Sequence, residues 1–242
     1  PYELACLREA AGRGARAHRA AEQAFRAGES EYGIHLAYLR ASGHTEAGLP
    51  YPNIIALNEG AAILHYTDLS ATTPPQRRSF LIDAGAQFRG YACDITRTYA
   101  AAAGPYADLV AGLDQAEQRL CGLVRAGTYY PDIHAAAHRE IAQLLVEHGV
   151  VRCSADAAVA TQLTSVFFPH GIGHLLGLQV HDIGGHQAGP SGATNPPPPE
   201  HRYLRLTRTL EAGSVVTIEP GLYFIDLLLS AATTDGRGRD IN

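Results

Sequence analysis

Two aspartates, Asp83 and Asp94, bound the segment Asp83-Ala-Gly-Ala-Gln-Phe-Arg-Gly-Tyr-Ala-Cys-Asp94. A hairpin whose short loop is centred on Phe88-Arg89 would set the two carboxylates directly opposite on one face, with Cβ atoms roughly 5 Å apart. Carboxylates that close repel, and removing water between them sharpens the repulsion. A hard divalent cation between them is the chemistry such a pair calls for. Spacing alone more often means two exposed aspartates flanking a turn. The apolar flanks Phe80-Leu81-Ile82 and Ile95 favour a buried strand end instead.

Three histidines follow in Phe167-Phe-Pro-His170-Gly-Ile-Gly-His174 and His181-Asp182. Gly171, Gly173 and Gly177 let backbone approach a ligand or another strand closely. Neutral imidazoles ligate transition metals, and unligated ones move protons. A set of hydrogen-bonded core histidines is the competing reading. Glu219 ends the β-branched run Val215-Val-Thr-Ile, where a buried carboxylate would need a partner; a strand-end Glu facing water is as good a reading. His65 follows the apolar Ala62-Ile-Leu, and Arg205 and Arg208 follow the proline-rich loop, where either guanidinium could grip a carboxylate with two hydrogen bonds. Two carboxylates, an imidazole and a third carboxylate make a mixed O/N set. Without thiols, that set suits Mn²⁺, Co²⁺ or Zn²⁺ in a two-metal hydrolase.

The elements that must position these groups read in an α+β order. Residues 2–27 form a helix stopped by Gly28, and Ser30 caps a second helix running to about Ala41. Strands are expected at Asn53–Leu57, Ala62–His65, Ser79–Asp83, Tyr91–Tyr99 and Val215–Glu219. Helices are expected at Ala107–Val124, from Pro131 to about Leu145, and at 154–160. Ala188–Glu200, with Pro196 to Pro199, reads as a loop.

Composition narrows the class. The 242 residues carry a net charge of −5, with 46% hydrophobic and 18% charged residues, an ordinary globular balance. All 19 basic residues are arginine, without a stripe or cluster, so neither nucleic acid nor a membrane surface is an expected partner. Cys6, Cys93, Cys121 and Cys153 form no CxxC pair, which fits reduced thiols and a cytoplasmic location. No apolar run is long enough to span a bilayer. Met is absent, so Pro1 is not expected to be the native N-terminus.

At these residues the sequence resembles the pita-bread metallopeptidases, and within them the bacterial prolidases. The resemblance runs from Pro1-Tyr-Glu-Leu through Asn53–Glu59, Ile63–Tyr66, Phe80–Tyr99, Phe167–Gly185 and Thr217–Asp226. Its most specific block is His170-Gly-Ile-Gly-His-Leu-Leu-Gly-Leu-Gln-Val-His-Asp182. It implies a single pita-bread catalytic domain over residues 1–242, with a curved, mostly antiparallel sheet and flanking helices. It also implies that the family's N-terminal domain and final C-terminal segment lie outside this chain.

The resemblance implies two divalent ions, Mn²⁺ first, held by Asp83, Asp94, His174 and Glu219, with a fifth ligand expected in that C-terminal segment. A chain without it is expected to be weakly active or inactive. The implied activity is hydrolysis of Xaa-Pro dipeptides by a hydroxide activated between two metals, releasing proline, in a protein that forms a homodimer. Glu219 would carry the proton, and His170 and His181 would stabilise the attacked carbonyl. His65 and Arg205 would hold the substrate carboxylate. Tyr51, Tyr130 and Leu204 would line the side-chain pockets. The alternatives are an Xaa-Pro aminopeptidase acting on longer peptides and a catalytically inert binding module of the same fold.

Overall fold

The computed structural model describes residues 1–242, which divide into two compact units. The first comprises Pro1–Ala107 and Leu176–Ile183; the second comprises Asp108–Leu175 and Gly184–Asn242.

The first unit opens with α1 (Tyr2–Ala27), which buries Cys6, Leu7, Ala10, Gly14, Ala17, His18, Ala21 and Phe25. That spacing of three and four residues makes one apolar stripe. Gly28, at φ 98°, closes the helix in the left-handed region. Helix α2 (Glu31–Ser42) starts where the Ser30 side chain accepts from Gly33 N. Its first residue, Glu31, is buried yet fully engaged: it accepts from Leu57 N at 2.8 Å, Tyr66 Oη at 2.8 Å and Ser70 N at 2.9 Å.

Against these helices lies an antiparallel sheet of β1 (Ile54–Leu57), β2 (Ser79–Asp83) and β5 (Thr96–Ala100), with β2 central. Phe25 meets Phe80 at 5.2 Å between ring centroids, and Phe80 stacks on Tyr99 at 5.6 Å. Strands β3 (Gln87–Phe88) and β4 (Tyr91–Ala92) pair around Arg89-Gly90. Both turn residues have positive φ, 53° and 85°, as a tight two-residue hairpin loop requires. Ala62–His65, expected as a strand, is instead the end of a 3-10 turn (Asn58–Ala62) followed by a bend. Asn58 at φ 54° and His65 at φ 59° are incompatible with extended backbone.

The second unit is largely helical. Helix α3 (Pro105–Cys121) opens at the boundary, and α4 (Tyr130–Glu147) begins with Pro131 in its first turn. Short helices α5 (Ala155–Ala160) and α6 (Thr164–Phe167) follow. The core gathers Ile133, Ile141 and Leu145 of α4 with Phe167, Phe168, Ile172, Leu204 and Leu206. Val215–Glu219, expected as a strand, forms only an isolated bridge between Val216 and Leu175. Its partner holds Gly173 at φ 149°, and Pro220 has no N–H to extend the ladder. Helix α7 (Asp226–Asp235) was not expected from the sequence; it has no side-chain cap and ends in Thr-Thr-Asp, poor helix formers.

Candidate metal centre

The hairpin of the first unit keeps one register throughout. Asp83 pairs with Thr96, Gln87 with Ala92 and Phe88 with Tyr91. The bonds Ala84 N→Ile95 O and Cys93 N→Ala86 O continue it between the named strands. The expected register, with Asp83 opposite Asp94, is therefore displaced by two residues. The cause is the tight Arg89-Gly90 turn, which moves the centre of the loop one position along. An even displacement preserves the face, so the two aspartates become diagonal neighbours on one side.

Tyr51 marks that convergence: its hydroxyl lies 2.8 Å from Oδ1 of Asp83 and 2.8 Å from Oδ1 of Asp94. Burial, then the two carboxylates, push the phenol well above its usual pKa, so it stays a donor. Gly85 admits the ring; a Cβ there would stand 2.5 Å from Tyr51 Cε1.

The second unit builds its pair on two extended segments. Thr217 N donates to His174 O at 3.0 Å and Glu219 N to Ile172 O at 2.9 Å. His174 and Glu219 are thus diagonal neighbours as well, with Nε2 and Oε1 3.4 Å apart. Thr217 Oγ1 joins them, accepting from His174 N and donating to Glu219 Oε1, both at 3.0 Å. Tyr130 Oη donates to Thr217 O at 2.8 Å. Gly173 leaves room for it: a Cβ there would lie 2.5 Å from that hydroxyl.

Both pairs suit divalent metal. One phenol has a single proton and can donate to only one aspartate at a time, so the carboxylate pair needs further positive charge. His174 Nδ1 lies 2.8 Å from Leu175 O, a pure acceptor. Nδ1 therefore carries a proton, which leaves Nε2, beside a Glu219 oxygen, as the nitrogen that can ligate. Metal bonds of about 2.0–2.2 Å set neighbouring ligand atoms roughly 3–3.5 Å apart, which matches the observed spacing. The carbonyl that fixes the imidazole tautomer is the usual outer partner of a ligating histidine.

Of the other expected residues, His181 brings a ring nitrogen within 4.8 Å of an Asp94 carboxylate oxygen. His170 is mostly buried; its Nδ1 donates to Gly171 O at 2.8 Å, and its Nε2 is buried without a protein partner. Burial lowers its pKa, so at neutral pH Nε2 accepts rather than donates. His181 is exposed in the Leu176–Ile183 segment, which joins the first unit through Ala92 N→Gly177 O. His65 is exposed on its bend, and Arg205 is exposed on the second unit. Arg208 pairs with Glu211 at 3.0 Å. Tyr51, Tyr130 and Leu204, expected to line side-chain pockets, each have defined surroundings. Tyr51 touches both aspartates, Tyr130 holds the Thr217 backbone, and Leu204 is 1% exposed within the second core. Thr217 and Gly85 escaped sequence reasoning as site residues, whereas Gly173, expected to allow a close approach, admits Tyr130 and the Thr217 carbonyl.

Comparisons with known proteins bear on the family and the fold. The model of metallopeptidase family M24 matches residues 5–239. An Xaa-Pro dipeptidase of Stenotrophomonas maltophilia is 52% identical over all of this chain, and one of Xanthomonas euvesicatoria pv. vesicatoria is 54% identical. In each case the chain covers 55% of the relative, so it spans about half the length of these curated relatives. Zn-substituted aminopeptidase P of E. coli in complex with product is similar in structure, with TM-score 0.79 and 31% identity, covering 93% of this chain and 48% of that one. The fold is accordingly α+β and pita-bread. No helix is long and apolar enough to cross a membrane. With this match over nearly its whole length, the chain belongs to metallopeptidase family M24.

Proposed function

We propose that this chain carries the catalytic residues of a metal-dependent Xaa-Pro dipeptidase, which hydrolyses a dipeptide with C-terminal proline. The observation that carries the reading is the pair of hydroxyl-braced ligand sets, Asp83/Asp94 on Tyr51 and His174/Glu219 on Thr217. Family membership and the names of relatives at 52–54% identity support it. In this reading Asp83, Asp94, His174 and Glu219 hold two divalent ions, and the oxygen-rich set favours Mn²⁺. Such ions supply an acidified water and a polarised carbonyl.

The chain's own groups do the rest. Glu219 takes a proton on a carboxylate oxygen and passes it to the proline nitrogen, with Thr217 fixing its orientation. That nitrogen belongs to a tertiary amide without N–H, so recognition falls on the carboxylate instead, held by His65 and Arg205. His181 donates to the carbonyl oxygen as charge develops. His170 faces the same carbonyl in this reading, and its Nε2, an acceptor in the neutral ring, must carry a proton to stabilise the developing charge. The reading includes a homodimer and a cytoplasmic location, the latter in keeping with four reduced cysteines.

The second reading, an aminopeptidase on longer Xaa-Pro peptides, draws on the aminopeptidase P structures, which stand at the lower identity of 31%. Mn²⁺-dependent proline release from Ala-Pro, with Ala-Pro-Ala cleavage as comparison, separates them on the full-length protein. Cleavage of Ala-Pro alone is expected. Cleavage of both shifts the assignment to the aminopeptidase, and cleavage of neither overturns the proposal.

A further inference from the structure

The second unit holds three imidazoles that the proposed chemistry does not use. His134 and His138 stand four residues apart on α4 and so project from one face. His201 ends the 3-10 turn Pro199–His201, beyond the proline-rich loop. Ring centroids are 4.7 Å apart for His134–His138, 4.4 Å for His134–His201 and 4.9 Å for His138–His201. One ligand nitrogen from each lies within 4.8 Å of the others. His134 and His138 are 2% and 4% exposed, and His201 is partly open.

Hydrogen bonds to side chains outside the cluster fix only one of the two buried rings. His138 Nδ1 lies 2.8 Å from Thr164 Oγ1, and the two Nε2 atoms of His138 and His134 lie 3.2 Å apart. His134 Nδ1 is left buried without a partner. Desolvation, then the neighbouring imidazoles, lower the pKa of His134 to about 2 and that of His138 to about 4. Both are therefore neutral, the form that ligates metal.

We propose that His134, His138 and His201 form a separate site for one borderline transition ion of the Zn²⁺ class. Three imidazoles suit Zn²⁺, Ni²⁺ or Cu²⁺, whereas Mn²⁺ and Mg²⁺ prefer oxygen. Zn–N bonds of about 2.0–2.1 Å place tetrahedral ligand nitrogens roughly 3.3 Å apart, and the His134–His138 spacing is 3.2 Å. Thr164 orients His138 as an outer partner. Water on the open side of His201 completes the coordination. The ion ties the end of the Ala188–Glu200 loop to α4. It also stiffens the ring stack through Phe168, which packs 5.5 Å from His134, 5.1 Å from His138 and 4.8 Å from His170.

The test uses full-length protein stripped of metal and reloaded with Zn²⁺ or Co²⁺ alone, with bound ions counted by elemental analysis. His201→Ala is expected to bind one equivalent fewer than the unmodified protein, with an unchanged far-ultraviolet spectrum. His201→Cys is expected to recover it and, with Co²⁺, to show a thiolate-to-cobalt charge-transfer band absent from the unmodified protein. Should His201→Ala fail to fold, the band alone decides. Absence of the band, or an unchanged count in folded His201→Ala, overturns the assignment. Dipeptidase activity is not a readout, so failure of the proposed function leaves this result interpretable.

Discussion

The hairpin of the first unit and the paired extended segments of the second solve one problem in two ways. Each presents its two proposed ligands as diagonal neighbours on an antiparallel ladder. Each has a glycine where a tyrosine must come close, Gly85 for Tyr51 and Gly173 for Tyr130. The bracing differs. In the first unit the phenol itself touches both ligands. In the second, a ladder hydroxyl, Thr217, touches both, and the phenol stands one step back on its carbonyl. Two carboxylates carry more charge than an imidazole and a carboxylate, so their brace has to act directly. The lesson is that equivalent-looking tyrosines have unequal duties, one in the site's chemistry and one in its scaffold.

That contrast can be broken by substitution. The largest effect belongs to Glu219→Gln, which removes the proposed proton carrier and alters a proposed ligand. Loss of kcat on Ala-Pro by a factor of about 10²–10⁴ is expected, and a loss below tenfold would remove Glu219 from the mechanism. Tyr51→Phe should lower Mn²⁺ affinity or activity by about 10–100-fold, the usual range for partners that orient ligands. If it leaves the Mn²⁺ titration unchanged, direct bracing is wrong.

Acid should separate the units by stability. His18 in the first unit has its pKa lowered by burial to about 4; His134 and His138 in the second are lowered to about 2 and about 4. Below the unfolded value of 6.5, unfolded chains take up protons that the folded state refuses. Stability should therefore fall as pH drops from 6.5 toward 4, by up to about 1.4 kcal/mol per pH unit for each excluded proton. Hydrogen exchange at pH 7 and pH 5 should show the greater loss in the second unit; an equal loss in both would contradict this. The smallest effect is that of Tyr130→Phe, about 1 kcal/mol of stability by thermal melting, with activity less affected than in Tyr51→Phe. The reverse order would exchange the roles of the two phenols.

Some of this was legible in the sequence because the signal is local. Apolar spacing in α1, Ser30 before α2 and Pro131 in α4 each announce an element within a few residues. Asp83 could be placed at a strand end from its own flanks. The register of the hairpin could not, because Arg89-Gly90 and Phe88-Arg89 are both plausible loop centres and only the backbone φ values separate them. Tyr51 lies 32 residues before Asp83, and no periodicity connects a loop tyrosine to a distant carboxylate. Val215–Glu219 reads as a strand from its β-branched residues, but Gly173 opposite it and Pro220 after it reduce the ladder to one bridge. The four-residue spacing of His134 and His138 is visible on paper, but only the fold brings His201 beside them.

The buried carboxylate of Glu31 has a consequence for a residue it never touches. By sequence it is an ordinary acidic residue in the first turn of α2. In the fold it gathers backbone at Leu57 and Ser70 and the hydroxyl of Tyr66, closing the intervening segment onto one side chain much as a covalent cross-link would. The entropy of closing that loop is lost once, on folding, and need not be lost again when His65 meets a ligand. On the proposed role of His65, Glu31 preorganises that residue for binding, and a conservative Glu31→Gln change would be felt as weakened substrate affinity before it was felt in the chemical step.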